Sequence, residues 1–276
     1  MRTPPARPAR KPLGTRSGAA RESLGKRPEL VGGEPEVPGH VAAAWGLRTP
    51  SGRGPRPGLT LERIVAAGVR IASAEGIGAV SMGRVAHELG AATMALYRHV
   101  AAKDELLALM VDAAFREPPP APTAGWRPAL AAWAAAHLAV LRRYPWVVRV
   151  PIGGPPLLPN LVAWFEAGLA GLARTNLTES EKVSVLLLVN GFVRNEATLG
   201  ADLRASADAR GASPRDAGAI YGRLLGGLVD RERHPALSAV LAARVFDGPD
   251  DDGDAGFTFG LERILDGVAV LVRRRG

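Results

Sequence analysis

The chain has 276 residues, no cysteine and a formal net charge of +8. This length suits two domains, and the absence of cysteine excludes a disulfide framework and thiolate chemistry and fits a reducing cytoplasm. No apolar run approaches the roughly 18 residues of a membrane span, and no apolar core follows the basic N-terminus, so neither a membrane partner nor a secretory signal is expected.

Residues 1–58 carry 11 Lys and Arg against 4 Asp and Glu, whereas residues 59–110 hold five of each. The remainder holds 19 basic and 18 acidic residues, so the basicity lies almost wholly in the first segment. High charge is therefore no argument that a folded domain binds nucleic acid. Residues 1–58 are rich in Pro, Gly, Arg and Ala with little periodicity and read as a disordered tail. Trp45, beside Leu47 and Arg48, is the part of it able to dock on the first domain. Arg48, Arg53 and Arg56 either reach a DNA backbone or minor groove, as homeodomain arms do, or form a solvated linker.

Thr60 caps a helix whose apolar side is Leu61, Ile64, Val65, Gly68, Ile71 and Ala72, ending at Gly76. Ser81 caps a second helix, with Met82, Val85, Ala86 and Leu89 on one side. Gly90 then supplies a left-handed turn. A third helix follows, with Leu96 and Val100 inward and Thr93, Met94, Ala95, Tyr97 and His99 facing elsewhere. Two short helices joined at a glycine have the layout of a helix-turn-helix, whose second helix enters the DNA major groove. A fourth helix starts near Lys103. Asp104 and Glu105 suit its positive N-terminal end, and it runs to about Phe115 before Pro118-Pro119-Pro120.

Residues 60–110 resemble the DNA-binding domain of the TetR family of bacterial repressors. The matching elements are the Thr60–Glu75 helix, the Gly76–Ser81 entry, Ala86–Gly90, Leu96–Val100 and Lys103–Leu107, in the family's order and spacing. The resemblance implies that Thr93, Met94, Ala95, Tyr97 and His99 face DNA and that Lys103 contacts phosphate. The alternatives are burial of the Tyr97 ring against the first helix and a plain surface role for His99. Two residues depart from the family pattern. Ala92 stands where a capping residue helps start the recognition helix, and Gly83 where a basic or polar residue often reaches DNA. Arg84 is about 100 degrees away around the helix.

The later chain reads as helices over 126–144, 160–173, from Thr178 to about Leu203, 217–230, 235–245 and 257–273. Pro145 stops the first of these, and 151–159 is a Pro/Gly loop. Thr178 and Glu181 form a capping-box sequence. A polar stretch near 204–215 and an acidic loop over 247–254 separate the last elements. This half resembles, more loosely, the ligand-binding half of the tetracycline-repressor branch. Trp133, His137, Tyr144, Trp146, Trp164, Phe165, Asn190, Phe192 and Arg194 are cavity candidates, and Trp133, His137, Trp164, Phe165, Asn190 and Arg194 form the expected ligand set. An apolar wall with few polar groups is the usual small-molecule site. Asn190 and Arg194 share a helix face four residues apart; they suit either the cavity or a dimer contact.

Enzyme signals are poor. His87-Glu88 is followed by Ala91 where a zinc protease needs its second histidine, and neither a G-x-S-x-G elbow nor a P-loop is present. No catalytic residue, metal site or cofactor is expected. The reading is an all-α protein with a disordered tail over 1–58, a helix-turn-helix domain over 59–115, and a ligand-binding and dimerisation domain over 121–276. Its expected function is that of a cytoplasmic, homodimeric transcriptional regulator. It binds a palindromic double-stranded DNA operator and is released by a small, mostly apolar effector. An anionic or carbonyl-bearing effector becomes plausible if Arg194 faces the cavity. The alternative is a protein that sequesters a small molecule and carries a weakened DNA-binding head.

Overall fold

The computed structural model describes residues 37–47, 59–120, 125–211, 213–247 and 254–275. Arg53 and Arg56, and with them the expected arm to DNA, lie outside these residues, as does Arg48. Among the described residues every regular element is helical. No described helix is long and apolar enough to cross a membrane.

A short helix, α1 (Gly39–Ala44), lies inside the segment expected to be a tail. Six residues cannot hold a helix alone in water. Val41 supplies the missing energy by burying itself, and α1 packs on the fourth helix of the head. The indole N–H of Trp45 donates to the Leu157 carbonyl at 2.7 Å. His40 Nδ1 lies 3.3 Å from the Glu105 carboxylate. Residues 38–47 are therefore structured.

The head follows its local signals closely. Helix α2 (Leu61–Glu75) starts where the Thr60 hydroxyl accepts from the Arg63 N–H. Helix α3 (Met82–Glu88) starts where Ser81 accepts from the Arg84 N–H at 3.1 Å. Gly90, with φ of 62°, makes the turn. The recognition helix α4 (Thr93–Leu96) is a single turn, and Ala92 gives it no side-chain cap. Val100 lies beyond it, yet both Leu96 and Val100 are fully buried. Helix α5 (Lys103–Ala114) packs across α2. Gly68 permits their close approach: a Cβ there would stand 2.6 Å from the Met110 sulfur.

The larger body comprises α6 (Trp126–Arg143), α7 (Pro159–Leu172), α8 (Glu179–Asp208), α9 (Pro214–Leu228), α10 (Pro235–Ala242) and α11 (Ala255–Arg275). Pro145 ends α6 and opens a 3-10 turn over Pro145–Arg149. The Thr178–Glu181 capping box forms in full at the start of α8. That helix continues five residues beyond the expected end at Leu203, through a stretch read as polar loop. Ala205 and Ala207 are strong helix formers, Ala207 is fully buried, and Gly211 with φ of 62° lies just past the end.

Helix α8 packs on α6, α7 and α11. Two contacts fasten the head to the body. The buried Asp112 carboxylate of α5 accepts from the Leu161 N–H and the Asn160 amide, both at 2.9 Å. It thereby caps α7, whose own N-cap residue, Leu158, has no side-chain acceptor. The Trp146 indole donates to Ser73 of α2 at 3.2 Å.

Candidate functional site

The recognition turn presents a mixed surface. Met94 is 73% exposed and Tyr97 44% exposed, Lys103 is exposed, and Thr93, Ala95 and His99 are half-buried. Tyr97 therefore keeps part of its ring against the head and leaves the rest in solvent. Lys103 opens α5 next to this surface. Arg84 is committed elsewhere, 2.6 Å from Glu75 and 3.1 Å from Glu88. Gly83 is exposed, and a Cβ there would meet nothing within 4 Å. The exposed face of this segment thus offers short and apolar side chains, with hydroxyl and ammonium groups at its edges.

The body, with α5 and α1, forms a half-open cavity of about 580 Å³. Trp133 and His137 come from α6, Trp164 and Phe165 from α7, and Asn190 and Arg194 from α8, and all six line it. Tyr144, Trp146 and Phe192, suspected from sequence, do not. Trp146 is buried with its indole on Ser73, and Phe192 stacks on Phe257 with ring centres 5.6 Å apart. Sequence reasoning missed Val111 and Phe115 of α5, the 150–158 loop, and the roof formed by Pro38, His40 and Val41. Only tertiary packing brings these to the site.

The ring of His137 sits at the centre of an aromatic cluster, 5.0 Å from Phe115, 5.2 Å from Trp133 and 5.8 Å from Trp164 between ring centres, all edge-on. Burial lowers the His137 pKa to about 3, with a smaller contribution from the Arg194 charge, so the imidazole is neutral at physiological pH. Trp133 donates its indole N–H to the Trp164 carbonyl at 2.9 Å. The Trp164 indole N–H and His137 Nδ1 are buried and have no protein partner. Arg194 is half-buried, and burial pulls its guanidinium below the ordinary arginine range. Burial also pushes the Asp112 carboxyl up, against the hydrogen bonds it accepts.

The described residues contain no group of three His, Asp or Glu side chains placed to hold a metal. They do contain a second, smaller concavity between α9, α10 and the Val245–Asp247 turn, lined by Arg223, Arg244, Phe246 and Asp247.

Known proteins align with both halves. Residues 64–110 match the tetR family of bacterial regulatory proteins, and residues 118–272 match the tetracyclin repressor-like C-terminal domain. The HTH-type transcriptional repressor DrrR1 of Streptomyces coeruleorubidus is 40% identical over 231 residues, 83% of each chain. Apo ActR from Streptomyces coelicolor is 26% identical with a TM-score of 0.64, covering 79% of this chain and 99% of that one. ActR in complex with actinorhodin gives a TM-score of 0.65 at 26% identity, covering 79% of this chain and 98% of that one. An all-helical chain that matches in both its head and its body, and over most of the length of a curated repressor, belongs to the TetR family of bacterial transcriptional regulators.

Proposed function

We propose that this chain is a repressor whose grip on DNA is set by a small molecule in the body cavity. The carrying observation is the reach of α5. Lys103 at its start adjoins the recognition turn, and Ala108, Val111 and Phe115 further along line the cavity. Twelve helical residues span about 18 Å, so one rigid rod meets both surfaces. Asp112 ties that rod to α7, whose Leu161, Trp164 and Phe165 form another wall. A ligand that displaces α7 or the α5 end therefore moves Lys103 and the recognition turn. It weakens DNA binding by as much as it prefers the displaced state. ActR, a structural relative captured with actinorhodin, supports a small-molecule effector.

Thr93, Met94, Ala95, Tyr97, His99 and Lys103 form the DNA surface in this reading, and Trp133, His137, Trp164, Phe165, Asn190 and Arg194 the effector site. The dimer forms through α8 and α11. Leu188, Leu199 and Leu203 on α8 and Phe259 and Val270 on α11 are exposed apolar side chains. Two such helices and their symmetry mates bury these in a four-helix bundle. Two heads then meet a palindromic operator. A head domain over 59–115 and a ligand and dimer domain over 121–276 divide the work.

The single-turn recognition helix without a side-chain cap favours one other reading, a sequestering protein with a decayed head. A gel-shift of the full chain against the DNA flanking its own gene separates them. A retarded complex is expected. Absence of any complex at low salt, where phosphate contacts are strongest, removes the repressor reading.

A further inference from the structure

The effector cavity is apolar apart from a few groups, and the state of those groups specifies a ligand. Arg194 is the only Lys or Arg among the residues that line it. Among the described residues no carboxylate pairs with its guanidinium. Burial alone shifts it, with no stabilising partner. Other cations in the body are treated differently. Buried Lys182 lies 2.7 Å from Glu179, Arg127 is held by Glu262 and Asp266, and Arg275 lies 2.7 Å from Glu181. A half-buried cation without a counterion costs stability. That cost is offset when a ligand brings the counterion.

The acidic groups at the same cavity do not fill this need. Glu105 accepts from the Ala101 N–H at 2.8 Å and lies beside His40, and Asp104 is solvent-exposed. Two further unpaired groups are sealed within the aromatic wall and leave Arg194 as the polar group to be met. The Trp164 N–H is a donor only, and it is buried with no acceptor. His137 Nδ1 is buried and unpartnered beside it, in a residue 7% exposed. The walls that remain are ring faces and edges of Phe115, Trp133, Trp164 and Phe165.

We infer that the effector is an aromatic acid: a flat ring system held by Phe115, Trp133 and Trp164, and an anionic oxygen on the Arg194 guanidinium. This rests on the effector-site reading above and takes up the anionic effector that an Arg194 facing the cavity makes plausible. A carboxylate or acidic phenol satisfies Arg194 through charge-assisted hydrogen bonds. A cavity of about 580 Å³ lies within the ordinary range for small-molecule sites and admits a fused-ring compound.

A matched pair of probes tests it: a naphthoic acid and its uncharged naphthamide, titrated calorimetrically into the full-length chain. The acid is expected to bind about tenfold to a hundredfold more tightly than the amide. Arg194→Met should erase that ratio by weakening the acid far more than the amide, and Arg194→Lys should restore part of it. Trp164→Phe should weaken both probes. Equal affinity for acid and amide in the wild-type chain overturns the inference without need of any variant. So does a preference for the acid that survives Arg194→Met, or failure of the acid to bind at about millimolar concentration. Operator binding is read separately, without probe. A chain that prefers the acid but never shifts its flanking DNA keeps this site and loses the repressor reading.

Discussion

The head and the body of this regulator are built by different means. Several boundaries in the head are set by a residue at that boundary: Thr60 and Ser81 cap helices, and Gly90 turns the chain. The cavity in the body has no local author. Its walls come from residues as far apart in sequence as Pro38 and Arg194, assembled by burial. A device that reads DNA must hold a short helix in one pose, and local chemistry suffices. A device that responds to a ligand must be shaped by long-range packing. Its cavity leaves a half-buried cation, Arg194, without a carboxylate partner among the described residues.

The comparison breaks most visibly at Asp112, which joins the two regions. Asp112→Ala leaves the Leu161 N–H without its buried acceptor and the Asn160 amide with only the residue-112 backbone carbonyl, at 3.1 Å. It should cost about 3 kcal/mol in urea unfolding. A loss below about 1 kcal/mol would show that water replaces the carboxylate and that the latch carries little.

The next effect belongs to the body alone. His137 has a pKa of about 3 in the folded chain and about 6.5 when unfolded. Between those values the unfolded chain binds a proton that the folded chain refuses. Stability therefore rises with pH across that window and is fully present above it. Lowering the pH from about 6.5 to about 5 should remove about 2 kcal/mol through this group. His137→Leu should flatten that dependence, as followed by denaturant midpoints at each pH. An unchanged slope in the variant would place the pH dependence elsewhere.

How much of this the sequence disclosed follows from the same contrast. Caps and glycine turns act within a few residues, so the bounds of α2, α3 and α5 were legible to within a residue or two. Recognition helix α4 forms its first turn from Thr93 without a side-chain cap but gives way to turns after Leu96, and Leu96 and Val100 stay buried without a continuous helix. Helix α1 was illegible, since one buried valine in six residues makes no periodic pattern. The cavity was half legible. Aromatic density on α6 and α7 and the Asn190–Arg194 spacing selected residues that do line it. Phe192 looked equally suitable, but it turns toward Phe257 of α11, and no pattern within α8 states which way a ring will face.

Smaller effects should fall on the head without touching the fold. Lys103 is exposed at the start of α5, so Lys103→Ala should leave the melting temperature unchanged. It should weaken binding to all DNA sequences alike and reduce the salt slope by about one unit. Tyr97→Ala should weaken DNA binding with less change in slope, because its hydroxyl is uncharged. Footprinting titrations at several salt concentrations measure both. Unchanged affinity in both variants would remove these residues from the DNA surface. The smallest change is Trp45→Phe, which deletes only the bond to the Leu157 carbonyl at the cavity roof. It should cost no more than about 1 kcal/mol and leave DNA affinity intact, as read by thermal melting and the same titration.

The central claim is that the segment from Thr93 to Lys103 reads an operator as one half of a symmetric pair. The most direct measurement is a footprint of the full-length chain on the DNA flanking its own gene. The account predicts a protected inverted repeat whose half-sites lie on one face of the duplex, about one helical turn or a multiple apart. It also predicts that Lys103→Ala weakens protection of both halves together. Protection of a single half-site, or an unprotected duplex at low salt, would contradict it.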